Sequence, residues 1–184
     1  NLIYMDQTHS SNIEIIKDPS KNKIEDCDAI ITNVKNIPLM VMVADCVPIF
    51  FYDPIKKVIA VAHAGRNGTF LEIAKKCALK MRDEFRSDMS DLVVGVGASI
   101  GSCCYEVGED LADICKKSFG KEYIVIRDDK TFLDLKTLNQ NQLIDLGVKR
   151  ENIEISTICT SCDKNYFSYR RDGVTGRFAG LMML

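Results

Sequence analysis

With 184 residues, 46% of them hydrophobic, the chain can bury a sizeable core and is of a length for one domain. A formal net charge of −2 without any lysine or arginine run argues against nucleic acid or an anionic membrane surface as a partner. No segment approaches the ~20 consecutive apolar residues of a membrane span, and the opening NLIYMDQTHSSN has neither the basic start nor the apolar stretch of an export signal, so a soluble, cytoplasmic protein is expected.

In chain order, SNIEIIKD alternates like a strand and DAIITN is a short apolar run between polar residues. PLMVMVADCVPIFFYD is interrupted by Pro48, which has no donor for a sheet ladder. It predicts a strand over 39–43, a break over 44–47 that holds Asp45 and Cys46, and a second strand over 49–52. DPIKK is a turn by composition, and KVIAVAHAG is the next strand, ending at His63. The two strands make a hairpin whose pairing can bring Cys46 close to His63. HAGRNG reads as a loop, and TFLEIAKKCALKMRDEF predicts an amphipathic helix over 69–85. DLVVGVGASIG is a strand and a glycine-containing loop. EDLADICKKSFG and LKTLNQNQLIDLGV are helices closed by Gly120 and Gly147, and NIEISTICTS returns to strand. SYRRDG sets a tandem arginine among turn residues at the end of a strand. Strands and helices mix without strict alternation, and there is no internal repeat. The expected fold class is α+β, a single domain over 1–184 with mixed β-sheets flanked by helices.

Eight cysteines in a chain with no mark of secretion read as reduced thiols. Cys27, Cys77 and Cys115 fit small buried hydrophobes. Cys103 and Cys104 are adjacent and poorly placed to cross-link to each other. Cys159 and Cys162 form a CxxC that lacks a second CxxC to complete a zinc ribbon, so it reads as structural or incidental, with a redox role as the alternative. Cys46 differs, because a strand break beside an aspartate and a proline exposes a side chain better than it builds a core. The only two histidines, His9 in DQTHSSN and His63 in HAGRNG, also sit among loop-forming residues. Two imidazoles and one thiolate can supply three tetrahedral ligands to Zn²⁺ and leave a fourth position open. The same residues can equally form a cysteine nucleophile with a histidine base.

QTHS at 7–10, ADCVP at 44–48, HAG at 63–65, IGSCCYEVG at 100–108, the segment from LDL through Asn139 and Leu143, and YFSYRRDGVTGR at 166–177 together resemble, in this order, the laccase-domain family. Its members were once called multicopper polyphenol oxidases and are now regarded as purine nucleoside phosphorylases. The resemblance spans nearly the whole chain. It implies that the metal or catalytic trio is His9, Cys46 and His63, with zinc as the metal and copper as the alternative. It further implies phosphorolysis of adenosine, inosine and guanosine, with adenosine deamination and methylthioadenosine cleavage as further activities. Family members carry several dozen residues before the QTHS equivalent, so this chain is expected to lack the family's N-terminal segment. Where the family has tryptophan and arginine after HAG, this chain has Arg66 and Asn67.

Phosphorolysis needs a cationic cradle for phosphate, for which Arg66, Arg170 and Arg171 are the candidates, whereas for deamination Glu106 is the motif-borne acid. The expected partners are therefore purine nucleosides and phosphate, with the oligomeric state left open. Two histidines are too few for multicopper chemistry. The rival readings are a cysteine-nucleophile hydrolase or amidase built on Cys46 and a metal-dependent binding module without catalysis.

Overall fold

The computed structural model describes residues 2–184. Its first half contains β1 (Ile3–Met5), β2 (Ile13–Ile15), β3 (Lys23–Ile24), β4 (Ala29–Thr32), β5 (Leu39–Val43), β6 (Val47–Asp53), β7 (Val58–Ala64), α1 (Arg66–Phe70) and α2 (Ile73–Phe85). The second half adds β8 (Val93–Val96), β9 (Glu106–Val107), α3 (Glu109–Ser118), β10 (Ile124–Arg127), β11 (Lys130–Leu133), α4 (Leu135–Asp145), β12 (Ile153–Ile155), α5 (Tyr169–Asp172) and β13 (Phe178–Met182). A six-stranded sheet runs β12-β8-β6-β7-β4-β2, with an antiparallel centre and parallel outer pairs. A four-stranded sheet runs β13-β5-β1-β3, and β9, β10 and β11 form a small antiparallel sheet. This is the α+β architecture with mixed sheets that the sequence led one to expect.

β7 explains why VIAVAHA shows no polar alternation, since all seven of its residues are buried. Val58, Ala60, Ala62 and Ala64 join Ile73, Cys77 and Met81 of α2 and Leu138 of α4 in one apolar cluster. Ile59 and Val61 join Ile3, Leu39 and Val41 of the four-stranded sheet in another. A strand covered on both faces has no side to give to water. Fully burying a side chain such as Met81 or Ile73 contributes ~1.5–3 kcal/mol. His63 continues the face of Ile59 and Val61, so strand alternation aims it toward the four-stranded sheet rather than the helices.

Four local expectations are corrected. β6 begins at Val47 and includes Pro48, opposite His63 in the hairpin register. The proline is tolerated because the β6–β8 ladder ends at the Ile49–Val96 pair, beyond which Pro48 only has to accept, from the Gly97 amide (2.9 Å). The helix over 69–85 is divided into α1 and α2, separated by Glu72 in the left-handed region (φ 58°). RNG opens α1 instead of extending the loop, and Gly68 within it lets the helix approach His63 O, which a Cβ would meet at 3.2 Å. SYRRDG is not a strand end but the short helix α5, capped by Ser168 Oγ, which accepts from the Arg171 amide. Gly120 and Gly147 do end α3 and α4 with positive φ, and Cys27, Cys77 and Cys115 are buried. β1, β3, the β9–β11 sheet and β13 were not apparent from local pattern. No helix among the described residues is long and apolar enough to cross a membrane.

Candidate active site

The site starts from a buried carboxylate that precedes β4. Asp28 is fully buried, and the QTHS turn folds around it. Its oxygens accept from the amides of Thr8 (3.2 Å), His9 (3.1 Å) and Ser10 (2.7 Å) and from Ser10 Oγ (2.8 Å). Successive amides converging on one anion require an unusual backbone, and His9 accordingly has φ 60°. Asp28 Oδ1 also lies 2.7 Å from His63 Nδ1. Burial works against the charge on Asp28, but the bonds from His63 and Ser10 outweigh it and hold the carboxyl at about 2.

With Nδ1 committed to Asp28, His63 has Nε2 left for the trio. Burial opposes its charge, yet the Asp28 bond and the neighbouring Cys46 raise it to about 9. Burial alone would raise Cys46, but the hydrogen bonds and charges of His63 and His9 lower it to about 6. The arrangement therefore favours a thiolate. Cys46 Sγ lies 3.8 Å from His9 Nε2, and the two imidazole rings meet edge to face at 4.8 Å between centroids.

Cys46 is held from the other side by Asp45, which has φ 87°. The Asp45 carboxylate is buried and accepts from Thr160 Oγ1 (2.6 Å), Ser168 Oγ (3.1 Å) and the Arg170 amide (2.6 Å). The ADC bend is thus where the C-terminal segments dock. Gly65 completes the pocket by its lack of a side chain, since a Cβ there would lie 2.9 Å from His9 Cδ2 and 3.0 Å from Cys46 Sγ.

One ligand atom from each of His9, Cys46 and His63 lies within 4.8 Å of the others, so the three form a metal-binding group. Two nitrogens and one thiolate, with one imidazole braced by a buried carboxylate, fit a tetrahedral metal ion that keeps an open position. The trio borders a cavity of about 500 Å³, together with Gln7, Tyr105, Tyr169, Arg170 and Arg177.

The other residues singled out from sequence are placed differently. Arg170 lines the cavity, with NH1 donating to Cys104 O (3.1 Å) and Glu106 O (2.9 Å) and its guanidinium 5.0 Å from the centre of the Tyr105 ring. Arg171 does not line it. Its guanidinium ties down the carbonyls of Thr160 (2.9 Å) and Tyr166 (2.8 Å) and pairs with Asp172. Arg66 is exposed, outside the cavity lining, and bonds to Asn67 Oδ1. Glu106 is paired with Lys130 (3.0 Å), also outside the cavity lining. Asp28, Tyr105 and Arg177 escaped the sequence reading. Asp28 carried one faint signal, an acid directly before a buried run. Cys103, Cys104, Cys159 and Cys162 converge as a second metal-competent group, so the CxxC does find a second pair, in the adjacent cysteines.

The family pattern described as multi-copper polyphenol oxidoreductase laccase matches residues 1–184. The chain belongs to this family. Among relatives of this laccase family, a protein of Bacillus subtilis named purine nucleoside phosphorylase YlmD is 34% identical, over 95% of this chain and 68% of its own. A purine nucleoside phosphorylase of Clostridium acetobutylicum is 40% identical, over 92% of this chain and 71% of its own. Among solved structures, the hypothetical protein YfiH of Bacillus licheniformis superposes with a TM-score of 0.93 at 32% identity, covering 100% of this chain and 74% of that one. YlmD of Geobacillus stearothermophilus superposes with a TM-score of 0.92 at 30% identity, covering 99% of this chain and 73% of that one.

Proposed function

We propose that the chain is a purine nucleoside phosphorylase that cleaves adenosine, inosine and guanosine with phosphate to the free base and ribose 1-phosphate. The observation that carries this reading is a cavity of about 500 Å³ in which His9, Cys46 and His63 meet two arginines and two tyrosines, in a chain whose relatives bear that name. Deamination of adenosine and cleavage of methylthioadenosine are further activities of the same cavity. Residues 1–184 act as one catalytic domain, and eight free thiols support a cytoplasmic location.

Zinc is the metal assigned to His9, Cys46 and His63, with copper as the alternative. Two histidines cannot furnish a multicopper centre. Bound there, zinc would supply Lewis acidity to an oxygen of phosphate or water. The remaining work falls to side chains. Phosphate is an anion, and Arg170 and Arg177 bring positive charge to the cavity. Arg170 is held in place by two carbonyls and the Tyr105 ring, so little ordering remains to be done on binding. Burial raises the Tyr105 phenol above its usual value, which keeps it a hydrogen-bond donor for the departing purine. Tyr169 adds aromatic surface for the base.

Chromatography of adenosine, inosine and guanosine after incubation with and without phosphate tests the reading. Base release that requires phosphate supports it, and release without phosphate means hydrolysis. A second reading draws on the order Asp28, His63, Cys46, a carboxylate, an imidazole and a thiol held low by its histidines, which suits a cysteine hydrolase or amidase. Alkylation of Cys46 by chloroacetamide separates the two. Protection by zinc favours the metal site, whereas rapid alkylation with zinc present favours the nucleophile.

A further inference from the structure

Two pairs of thiols far apart in sequence share one corner of the fold. Cys162 Sγ lies 3.3 Å from Cys104 Sγ and 3.7 Å from Cys103 Sγ, and all four sulfurs, with that of Cys159, lie within 4.8 Å of one another. A tetrahedral Zn²⁺ with Zn–S of ~2.3 Å sets its sulfurs ~3.8 Å apart, which is the spacing these distances bracket. We propose that Cys103, Cys104, Cys159 and Cys162 form a second zinc site, a closed tetrathiolate separate from the His9, Cys46 and His63 group.

The surroundings are those a tetrathiolate needs. The Gly101 amide donates to Cys159 Sγ (3.3 Å), and the amides of Cys162 (3.1 Å) and Asp163 (2.9 Å) both donate to Cys159 O, which curls the CxxC so that both sulfurs point to one place. A Cβ on Gly101 would lie 3.2 Å from Cys103 Sγ and 3.5 Å from Cys159 Cβ, so the glycine is what lets the two loops close. Four thiolates and one Zn²⁺ leave a charge of about −2. Lys136, only 8% exposed, is drawn in by Ser156 O (2.9 Å) and Ile158 O (2.6 Å), in electrostatic reach of Cys159 and Cys103. Arg127 NH2 donates to Cys103 O (2.8 Å).

Four protein ligands leave no open position, so the role is architectural. The site pins two loops already joined by the Ser99–Cys159 bridge and by the Thr160 amide donating to Ser99 O (3.1 Å). One loop carries Tyr105 and the Cys104 and Glu106 carbonyls that hold Arg170; the other carries Thr160, which holds Asp45. The second zinc would thus set the wall of the catalytic cavity without touching substrate. It stands on the geometry of these loops and not on the phosphorylase reading.

The test uses the full chain purified from zinc-supplemented cells, as wild type, Cys46→Ser, and the double variant Cys103→Ser with Cys162→Ser. Elemental analysis should find about one zinc per chain less in the double variant than in wild type. X-ray absorption at the zinc edge of Cys46→Ser, which keeps all four thiols, should show a shell of sulfur alone at ~2.3 Å. That measurement does not depend on the double variant folding. A nitrogen-containing shell in Cys46→Ser, no zinc in that variant, equal zinc in wild type and folded double variant, or a Cys104–Cys162 disulfide in non-reducing peptide mapping would each overturn the proposal.

Discussion

The two clusters of metal-competent side chains are built on opposite plans. His9, Cys46 and His63 come from a turn, a strand junction and a strand end, and two buried carboxylates brace them, Asp28 directly and Asp45 through the chain next to Cys46. Cys103, Cys104, Cys159 and Cys162 come from two loops, two of them exposed, with backbone amides and cations around them. The first set offers three mixed donors beside a cavity, the second four like donors that close on one another. An incomplete set beside a cavity leaves room for a reacting molecule, whereas a complete set can only hold loops together. The contrast teaches that ligand count and carboxylate bracing, more than the presence of cysteine, separate a place for chemistry from a clasp.

The variant that strains this contrast hardest is Cys46→Ser. Serine is a poor zinc ligand at neutral pH and a far weaker nucleophile than thiolate, so phosphorolysis should fall by at least ~100-fold. The melting temperature, read on the same preparation, should move only by the equivalent of ~1 kcal/mol. A folded variant with near wild-type turnover would remove Cys46 from the chemistry. Next comes Asp28→Asn, which takes the charge from behind His63. Zinc affinity, measured by competition with a chromophoric chelator, should drop ~10–100-fold. Unchanged affinity would mean that the carboxylate only shapes the turn.

Arg170→Met should raise the KM for phosphate about tenfold, the scale of one lost hydrogen bond to a charged group. Arg171→Met should leave that KM alone and lower the melting temperature, because Arg171 binds its own loops. Equal KM values for the two variants would erase the distinction between them. Gly65→Ala should cost ~1–3 kcal/mol as the new methyl pushes on His9 and Cys46. The smallest effect is expected of Glu106→Gln, which breaks an exposed pair with Lys130, worth less than ~1 kcal/mol in thermal unfolding, with turnover near wild type.

Arg170 and Arg171 show why the site was only partly readable from sequence. Side by side in a motif they look alike, but successive residues on a helical turn point ~100° apart, so α5 gives one to the cavity and the other to loop carbonyls. The α5 helix was itself missed, being too short for periodicity to register. His9, Cys46 and His63 were nameable because two histidines in 184 residues are rare and turn-forming residues surround all three. The β6–β7 hairpin, α3 and α4 followed from apolar runs and closing glycines, which are local properties.

Local chemistry was enough to set the fold class, most long elements and the rare side chains that converge beside the cavity, because periodicity, turn residues and donor type act over a few neighbouring positions. Which carboxylate stands behind His63, which arginine meets the cavity, and that an adjacent cysteine pair would join a CxxC 58 residues away were decided by sheet order and loop docking. Those contacts join residues far apart in the chain, and their geometry exists only once the two sheets have packed and brought the loops at their edges together.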